Sequence, residues 1–193
     1  IYHYENVKER FLKPVSSTKK ALVIIDAKAH VGFDLSKIDM SANPDMGFKN
    51  YVSTVDCMIM GRKCMEAISG FNLTDEQWPY GNIKIVALSN SIKEAPENLK
   101  GKVEMYSGDL NELVLSLEKE GFKHAYIDGG TTIQAFINLE LINELTITQV
   151  PILIGEGKPL FGKTFKDIKL TKAKSKAFPN DFVQVKYEVS YEG

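Results

Sequence analysis

Short runs of Val, Ile and Leu alternate along the chain with segments of helical period, and this alternation limits the possible folds more than any other feature. The order is typical of strands that cross over through helices into a mainly parallel sheet. The predicted strands are residues 21–25, 57–61, 83–89, 102–107 and 124–128. The predicted helices are residues 46–54, 62–69, 109–120 and 131–139.

The helix predicted at residues 109–120 carries the clearest local signals. Asp109 fits an N-cap, and Glu112 three residues later completes the pattern of a capping box. Four apolar residues share one face of this helix, namely Leu110, Leu113, Val114 and Leu117. We therefore expect an amphipathic helix that packs this face on the sheet.

The pattern changes in the carboxyl-terminal third. The segment ELTITQVPILI, residues 144–154, predicts a long strand, and the tail alternates in two runs around the turn PND, residues 179–181, as in an antiparallel hairpin. The fold class is therefore α/β, with a mixed, mainly parallel central sheet flanked by helices and an antiparallel carboxyl-terminal hairpin. We expect one domain over residues 21–193, with residues 1–20 as an amino-terminal extension.

Composition argues for a small-molecule partner. Lys and Arg number 24 against 25 for Asp and Glu, so no basic excess indicates nucleic acid or an acidic membrane surface. The two cysteines, Cys57 and Cys64, favour a reduced, cytoplasmic protein over a disulfide-bonded one. The three histidines have no ligand spacing, so we expect no metal, and no apolar run approaches the roughly 20 residues of a membrane span.

The glycine pair in AYIDGGTTIQAFI, residues 125–137, lies where a strand runs into a helix. Free N–H groups and the positive end of the helix dipole make such a point suitable for a phosphate, and Gly129 and Gly130 would let it approach the backbone. The alternative is that the two glycines only make a tight turn. The pair alone does not separate the two interpretations.

Two more turns have the same character. Gly61 ends an apolar strand and Arg62 opens the next helix, where its planar fork suits a phosphate or an adenine, although a surface ion pair is the alternative. Ser89 and Asn90 follow another strand and are able to bond phosphate oxygens or to cap the turn. Together the three turns predict a dinucleotide across the edge of the sheet.

Four motifs in this order resemble a known family. MGRKCMEAI, ALSNS, YIDGGTTIQAFI and LINELTITQVPILIGEGKPLFG are similar to the dihydrofolate reductase fold, in its branch of riboflavin-biosynthesis reductases related to the carboxyl-terminal domain of the bifunctional deaminase-reductase. The resemblance covers about residues 21–190 and implies a three-layer fold. It also implies NADPH as the cofactor. The implied NADPH contacts are Gly61, Arg62, Cys64, Ser89, Asn90, Gly129, Gly130, Thr131 and Thr132.

Cys64 and the first turn depart from the family pattern. At the position of Cys64 the family usually has a threonine, and the threonine hydroxyl bonds the pyrophosphate. The thiol of Cys64 is a weaker hydrogen-bond donor than that hydroxyl. After the first strand, where the family has a Ser-Leu-Asp-Gly-like turn, the chain has IDAKAHVGF, residues 25–33. The first departure predicts a lower affinity for the cofactor. The second indicates an unusual substrate pocket, with a changed substrate or a lost activity as the possible consequences.

The resemblance also suggests a catalytic acid. Asp45 lies 16 residues before Gly61, the interval of the pteridine-binding acid in some folate reductases, and N-capping after Pro44 is the alternative role. Thr148 matches the family threonine that supports this acid, and Asp39 is a second candidate.

The expected function is an NADPH-dependent reductase of a small pteridine-like or aminopyrimidine heterocycle, similar to 5-amino-6-(5-phosphoribosylamino)uracil reductase. A true dihydrofolate reductase is opposed by Ile83, which stands near the place of the arginine that binds the folate tail, and by the turn GEGKPLFG. Lys28 or Lys158 would serve a substrate phosphate. A non-catalytic nucleotide-binding module is the alternative from another class, and the branch commonly pairs its sheets, which implies a homodimer.

Overall fold

The computed structural model describes residues 22–25, by their backbone alone, and residues 47–151 and 161–191. The strands are β1 (Leu22–Ile25), β2 (Cys57–Gly61), β3 (Lys84–Leu88), β4 (Glu104–Tyr106), β5 (Ala125–Asp128), β6 (Glu144–Gln149), β7 (Lys169–Ala177) and β8 (Val183–Ser190). The α-helices are α1 (Phe48–Val52), α2 (Arg62–Gly70), α3 (Leu110–Lys119) and α4 (Gly130–Asn138), and a short 3-10 helix spans Glu97–Leu99.

All eight strands form one sheet in the order β4-β3-β2-β5-β1-β6-β8-β7. The first six strands in this order run parallel, as crossovers through helices require. β8 then pairs antiparallel with both β6 and β7. The predicted mixed sheet with an antiparallel hairpin at its carboxyl-terminal end is confirmed.

Helices cover both faces of the parallel part of the sheet. Met58, Met60 and Tyr126 point to the face that carries α1 and α2, where they pack with Met65 and Ile68. Ile59 of β2, Val86 of β3 and Ile127 of β5 point to the other face, where they pack with Leu113 of α3 and Phe136 of α4. The fold is therefore a three-layer sandwich, as the resemblance implied.

The local signals of α3 are also confirmed. The Asp109 carboxylate accepts hydrogen bonds from the backbone N–H groups of Asn111 and Glu112, at 2.9 and 3.1 Å, which makes it the N-cap. Leu113 and Leu117 are buried, and Leu110 and Val114 pack beside them. The Asp109 side chain thus satisfies backbone N–H groups at the start of α3. The helices α2 and α4 differ from α3 in this respect.

Some elements are shorter than predicted. α1 ends at Val52 because the hydroxyls of Ser53 and Thr54 bond back to the carbonyls of Asn50 and Tyr51. β6 ends at Gln149, two residues before Pro151, which has no N–H to donate to a sheet. The remainder of the predicted long strand, residues 152–154, lies outside the described residues, as does the predicted extension at residues 1–20.

The terminal hairpin leaves a lysine-rich strand at one edge of the sheet. β7 is exposed along nearly its whole length and carries Lys169, Lys172, Lys174 and Lys176. Its pairing with β8 is interrupted by a bulge between Thr171 and Lys174. None of the helices within the described ranges is long and apolar enough to cross a membrane.

Candidate cofactor and active site

The three turns predicted to bind a nucleotide lie side by side at the carboxyl edge of the sheet. Gly61 pairs with Leu88, and Met60 pairs with Asp128, so Gly61 stands level with Gly129. Arg62, Ser89 and Gly130 therefore follow at one common level on three adjacent strands. Since neighbouring strands are about 4.8 Å apart, the three turns span roughly 10 Å.

The two glycines of the opening motif have different roles. Gly129 has φ +94°, and a Cβ there would lie 2.8 Å from Sγ of Cys64, so the fold itself requires glycine at this position. Among the residues that the structure describes, a Cβ on Gly130 would meet nothing within 4 Å. The interpretation as a tight turn accounts for Gly129, whereas Gly130 leaves open space above the start of α4.

The helices that begin at this edge differ in how their N–H groups are satisfied. α2 and α4 have Gly61 and Gly129 as N-caps, and within the described part of the chain neither helix has a side-chain capping bond. α3, which follows the edge strand β4, is capped by Asp109. The first N–H groups of a helix have no carbonyl partner within it, so two adjacent helices present such donors together.

The threonines after the glycine pair face different surroundings. Thr132 is buried, and its hydroxyl lies 2.9 Å from where a Cβ on Gly61 would be, so it packs between the two turns. Thr131 is exposed at the same edge. Of the two, Thr131 is therefore the one whose side chain reaches solvent above the turns.

The polar residues after β3 form a capped turn. The Ser89 hydroxyl accepts from the N–H groups of Ser91 and Ile92, at 3.2 and 2.9 Å, and its own hydrogen is still able to donate. Asn90 is exposed, and its side-chain oxygen accepts a 3.2 Å bond from the Ser107 hydroxyl, which follows β4. The capping role of this turn is therefore observed, and phosphate binding by Ser89 and Asn90 stays a prediction.

Cys64 bonds to a carboxylate of its own chain. Its thiol, half-buried beside Gly129, hydrogen-bonds the side chain of Asp128 at the end of β5. The pKa of Cys64 is raised to about 12, chiefly by burial. The charge of Asp128 and its hydrogen bond with the thiol contribute to this rise in the pKa. The thiol is therefore neutral at physiological pH. Cys57, at the start of β2, is also free and also has a pKa raised to about 12, chiefly by burial.

We expect both thiols to resist alkylation in the folded protein. At pH 8 a thiol with a pKa of about 12 is ionised in about one molecule in ten thousand, against about one in ten at the ordinary pKa of 9.0. Iodoacetamide should therefore react about a thousandfold more slowly with the native chain than with the chain unfolded in urea, as mass spectrometry would follow. Folding raises the pKa of both thiols, so the folded state is favoured while they remain neutral. This contribution to the free energy of unfolding is fully present below pH 9 and is lost as the pH rises toward 12.

Asp128→Asn is the control for this result, because Asp128 contributes to the shift of Cys64 and is not among the causes of the shift of Cys57. The variant should speed alkylation of Cys64 alone. Equal rates for the native and unfolded wild-type chains would contradict the expectation.

Asp128 is a residue of this edge that the sequence analysis did not select. Tyr126 Oη donates to its carboxylate at 3.4 Å. Tyr51 of α1 is half-buried nearby, and its pKa lies far above its ordinary value, chiefly because of its burial and in part because of the Asp128 charge. Its place as the last strand residue before the glycine pair was the available signal. A carboxylate with phenol and thiol partners at the end of a parallel strand is a candidate for holding a ligand.

Thr148 lies at the same edge, two strands away from the glycine pair. Leu22 of β1 pairs with both Tyr126 and Glu144, so Thr148 stands level with Gly130, with β1 between them. The Thr148 hydroxyl accepts a 3.1 Å bond from the side-chain amide of Gln184 on β8. Asp45, Asp39, Lys28 and Lys158, with the first turn and most of GEGKPLFG, lie outside the described residues.

Ile83 lies just before β3, half-buried against the core on the α1 and α2 face. It holds no charge there and acts as a packing residue. Across residues 47–151 and 161–191, no group of three His, Cys, Asp or Glu side chains is arranged to hold a metal ion.

Comparisons with known proteins identify relatives of this fold. The family model of the RibD C-terminal domain matches residues 79–184. YyaP, an uncharacterized protein of Bacillus subtilis (strain 168), is 28% identical over 151 residues, which span 75% of this chain and 80% of YyaP. The crystal structure of a putative riboflavin biosynthesis protein from Shewanella sp. PV-4 is 30% identical, with a TM-score of 0.76 over 89% of this chain and 99% of that one.

A more distant structure shares the fold alone. The riboflavin biosynthesis reductase Rib7 of Saccharomyces cerevisiae is 10% identical and superposes with a TM-score of 0.60 over 92% of this chain and 93% of its own. The same order of strands and helices therefore persists where few residues are shared.

Proposed function

The chain belongs to the RibD C-terminal domain family, a family of reductase-like proteins with the dihydrofolate reductase fold, and from this premise we propose that it is an NADPH-dependent reductase of a small pteridine-like or aminopyrimidine heterocycle. The cofactor would lie across the carboxyl ends of β3, β2 and β5. Its hydride would pass to a substrate bound near the end of β1, between the glycine pair and Thr148. The reaction would resemble that of 5-amino-6-(5-phosphoribosylamino)uracil reductase.

The observation that carries the proposal is the pair of uncapped helices. α2 and α4 begin on adjacent strands, each after a glycine and without a side-chain cap, and Gly130 leaves the approach to α4 open. Two such amino termini together offer N–H donors and favourable dipoles to the two phosphates of a dinucleotide. Gly61, Arg62, Gly129, Gly130 and Thr131 would hold the pyrophosphate.

Ser89 and Asn90 would contact the adenosine side of the cofactor, because they continue the same edge toward β4. Thr132 and Cys64 would support the turns from beneath rather than bind phosphate directly. The thiol of Cys64 is already bonded to Asp128, so the family threonine's role in binding pyrophosphate would be lost here.

The proton that accompanies the hydride needs a carboxyl group near the substrate ring. Asp45 remains our proposed acid, with Thr148 as its support. Asp128 is a second carboxylate, and it lies on the same sheet face as Thr148, since both alternate with residues of the other face. Turnover at the wild-type rate by Asp45→Asn would exclude Asp45 from this role.

Titration of the purified protein with NADPH, and separately with NADH, tests the cofactor assignment. We expect micromolar binding of NADPH, visible in nucleotide fluorescence and in a melting temperature that rises with ligand concentration. A screen of pteridines and aminopyrimidines for substrate-dependent NADPH oxidation then follows. If neither nucleotide binds at millimolar concentration, the reductase assignment fails.

A non-catalytic nucleotide-binding module is the second candidate, because Cys64 has replaced a phosphate-binding threonine with a thiol directed to Asp128. It predicts nucleotide binding without oxidation of NADPH in the presence of any heterocycle. A true dihydrofolate reductase predicts tight methotrexate binding instead.

We also propose that the protein forms a homodimer through its terminal hairpin. The face of this hairpin on the α3 and α4 side carries Leu170 of β7 and Val183 of β8, which are 40% and 37% exposed. Val185 and Tyr187 of β8 lie on the same face. An exposed apolar face of this kind suits a second copy of the same chain. Sedimentation of a monomer at micromolar concentration would exclude it.

A further inference from the structure

Arg62 and Glu66 form an ion pair on the first turns of α2. Nη1 of Arg62 lies 2.7 Å from Oε1 of Glu66, and the two side chains are 39% and 41% exposed. Arg62 is the first residue of α2 and follows Gly61 directly. The cation expected to meet a nucleotide phosphate is thus held by a carboxylate of its own helix.

The geometry of this pair leaves most of the guanidinium available. Only one nitrogen of Arg62 contacts Glu66, whereas the group carries five N–H donors in a planar fork. An exposed pair of residues four apart on a helix is also weak, because water and salt screen it. Arg62 can therefore exchange its partner at little cost.

A phosphate above α2 would compete well with Glu66. It would receive a charge-assisted fork from Arg62 together with the N–H groups and the dipole of the helix amino terminus. Glu66 receives no such help, since it lies one turn further along, roughly 6 Å from the amino-terminal end. Its negative charge remains near enough to oppose the incoming phosphate.

We propose that Glu66 is an exchangeable counter-ion for Arg62, which neutralises the guanidinium when no nucleotide is bound and competes with the nucleotide phosphate for it. The inference rests on the proposed function, because it requires a phosphate-bearing nucleotide at this edge. Glu66 is a positioning residue, since it acts through Arg62. It lowers the affinity for the cofactor and so sets the concentration at which the site fills.

NADPH titration of Glu66→Gln tests the inference. We expect the Kd for NADPH to fall about threefold to fivefold, the range that the strength of an exposed ion pair allows. The gain should shrink in 0.5 M salt, because added ions screen the carboxylate in the wild-type protein. It should vanish in the Arg62→Ala background, where Glu66→Gln has no cation to release.

Glu97→Gln is a matched control. The substitution removes one negative charge from another exposed ion pair, in which Glu97 lies 2.6 Å from Lys100. This pair is near the far end of α2, because the next residue, Asn98, contacts Ser69 there. Its affinity for NADPH should equal that of the wild-type protein. An equal gain in this control would overturn the inference, because the effect would then be one of net charge.

The possible failures are distinguishable. If the wild-type protein binds no NADPH, the proposed function and this inference fail together. If the wild-type protein binds NADPH and Glu66→Gln binds it equally, only the counter-ion role is overturned, because Glu66 then has no effect on the cofactor. Weaker binding by Glu66→Gln also overturns the counter-ion role, because Glu66 would then hold Arg62 in its binding orientation.

Discussion

Gly130→Asp should weaken NADPH binding by about two orders of magnitude or more while leaving the folded state as stable as that of the wild-type protein. The new carboxylate would occupy the space where the proposed pyrophosphate approaches α4, and juxtaposed like charges cost several kcal/mol at a binding interface. The substitution should not destabilise the fold, because a Cβ at this position meets no atom of residues 47–151 or 161–191 within 4 Å. An acidic residue in the first turn of a helix is even favourable. Fluorescence titration and thermal melting, run on the same samples, separate the two effects.

Gly130→Ala is the control that isolates charge from bulk. It adds only the Cβ, so NADPH binding should weaken much less than in Gly130→Asp. Wild-type affinity in the Asp variant would mean that the phosphate does not rest on α4, even if NADPH binds elsewhere. A melting temperature that falls in both variants would instead show that the open space at Gly130 is needed by the fold.

Gly129→Ala should destabilise the protein, in contrast to its neighbour. The backbone has φ +94° and ψ 127°, a sparsely populated conformation that costs a residue with a Cβ about 1–3 kcal/mol, and the Cβ would lie 2.8 Å from Sγ of Cys64. Overpacking of this kind adds about 1–3 kcal/mol. For a chain of this length the sum lowers the melting temperature by roughly 5–15 °C. Urea denaturation gives the corresponding change in the free energy of unfolding.

The two parts of this cost can be separated with Cys64→Ala. Removing Sγ relieves the collision but not the backbone strain, so Gly129→Ala should cost less in the Cys64→Ala background than in the wild-type protein. The remaining difference measures the φ penalty. A Gly129→Ala variant as stable as the wild-type protein would show that the turn can change its backbone, and the rigid support proposed for the cofactor would be lost.

The parallel core and the edge that holds the site were predictable from sequence because both depend on local patterns. Short apolar runs before glycines mark where parallel strands end, and such ends must meet at one edge, so Gly61, Ser89 and Gly130 were expected together. The distinct roles of Gly129 and Gly130 could not be predicted from the sequence. They depend on Sγ of Cys64, which belongs to another strand-helix unit.

Contacts between distant segments explain the other omissions. Cys64 and Asp128 are 64 residues apart in the chain, and no local pattern indicates that the thiol bonds that carboxylate. The buried position of Thr132 against Gly61 likewise follows from the packing of two turns. The Arg62–Glu66 pair, by contrast, has the spacing of helix neighbours and was open to prediction as the alternative role of Arg62.

The lysines of β7 affect how copies of this protein can meet. A long outer strand with free N–H and C=O groups invites another chain to extend the sheet, which is a common route to fibres and precipitates. Two copies joined along β7 would bring four lysines of each strand against four of the other, at a separation of about 5 Å, and the bulge would spoil their register. Open-ended growth of the sheet is therefore disfavoured at neutral pH. Acetylation of these lysines would remove that protection and expose the protein to aggregation along this strand.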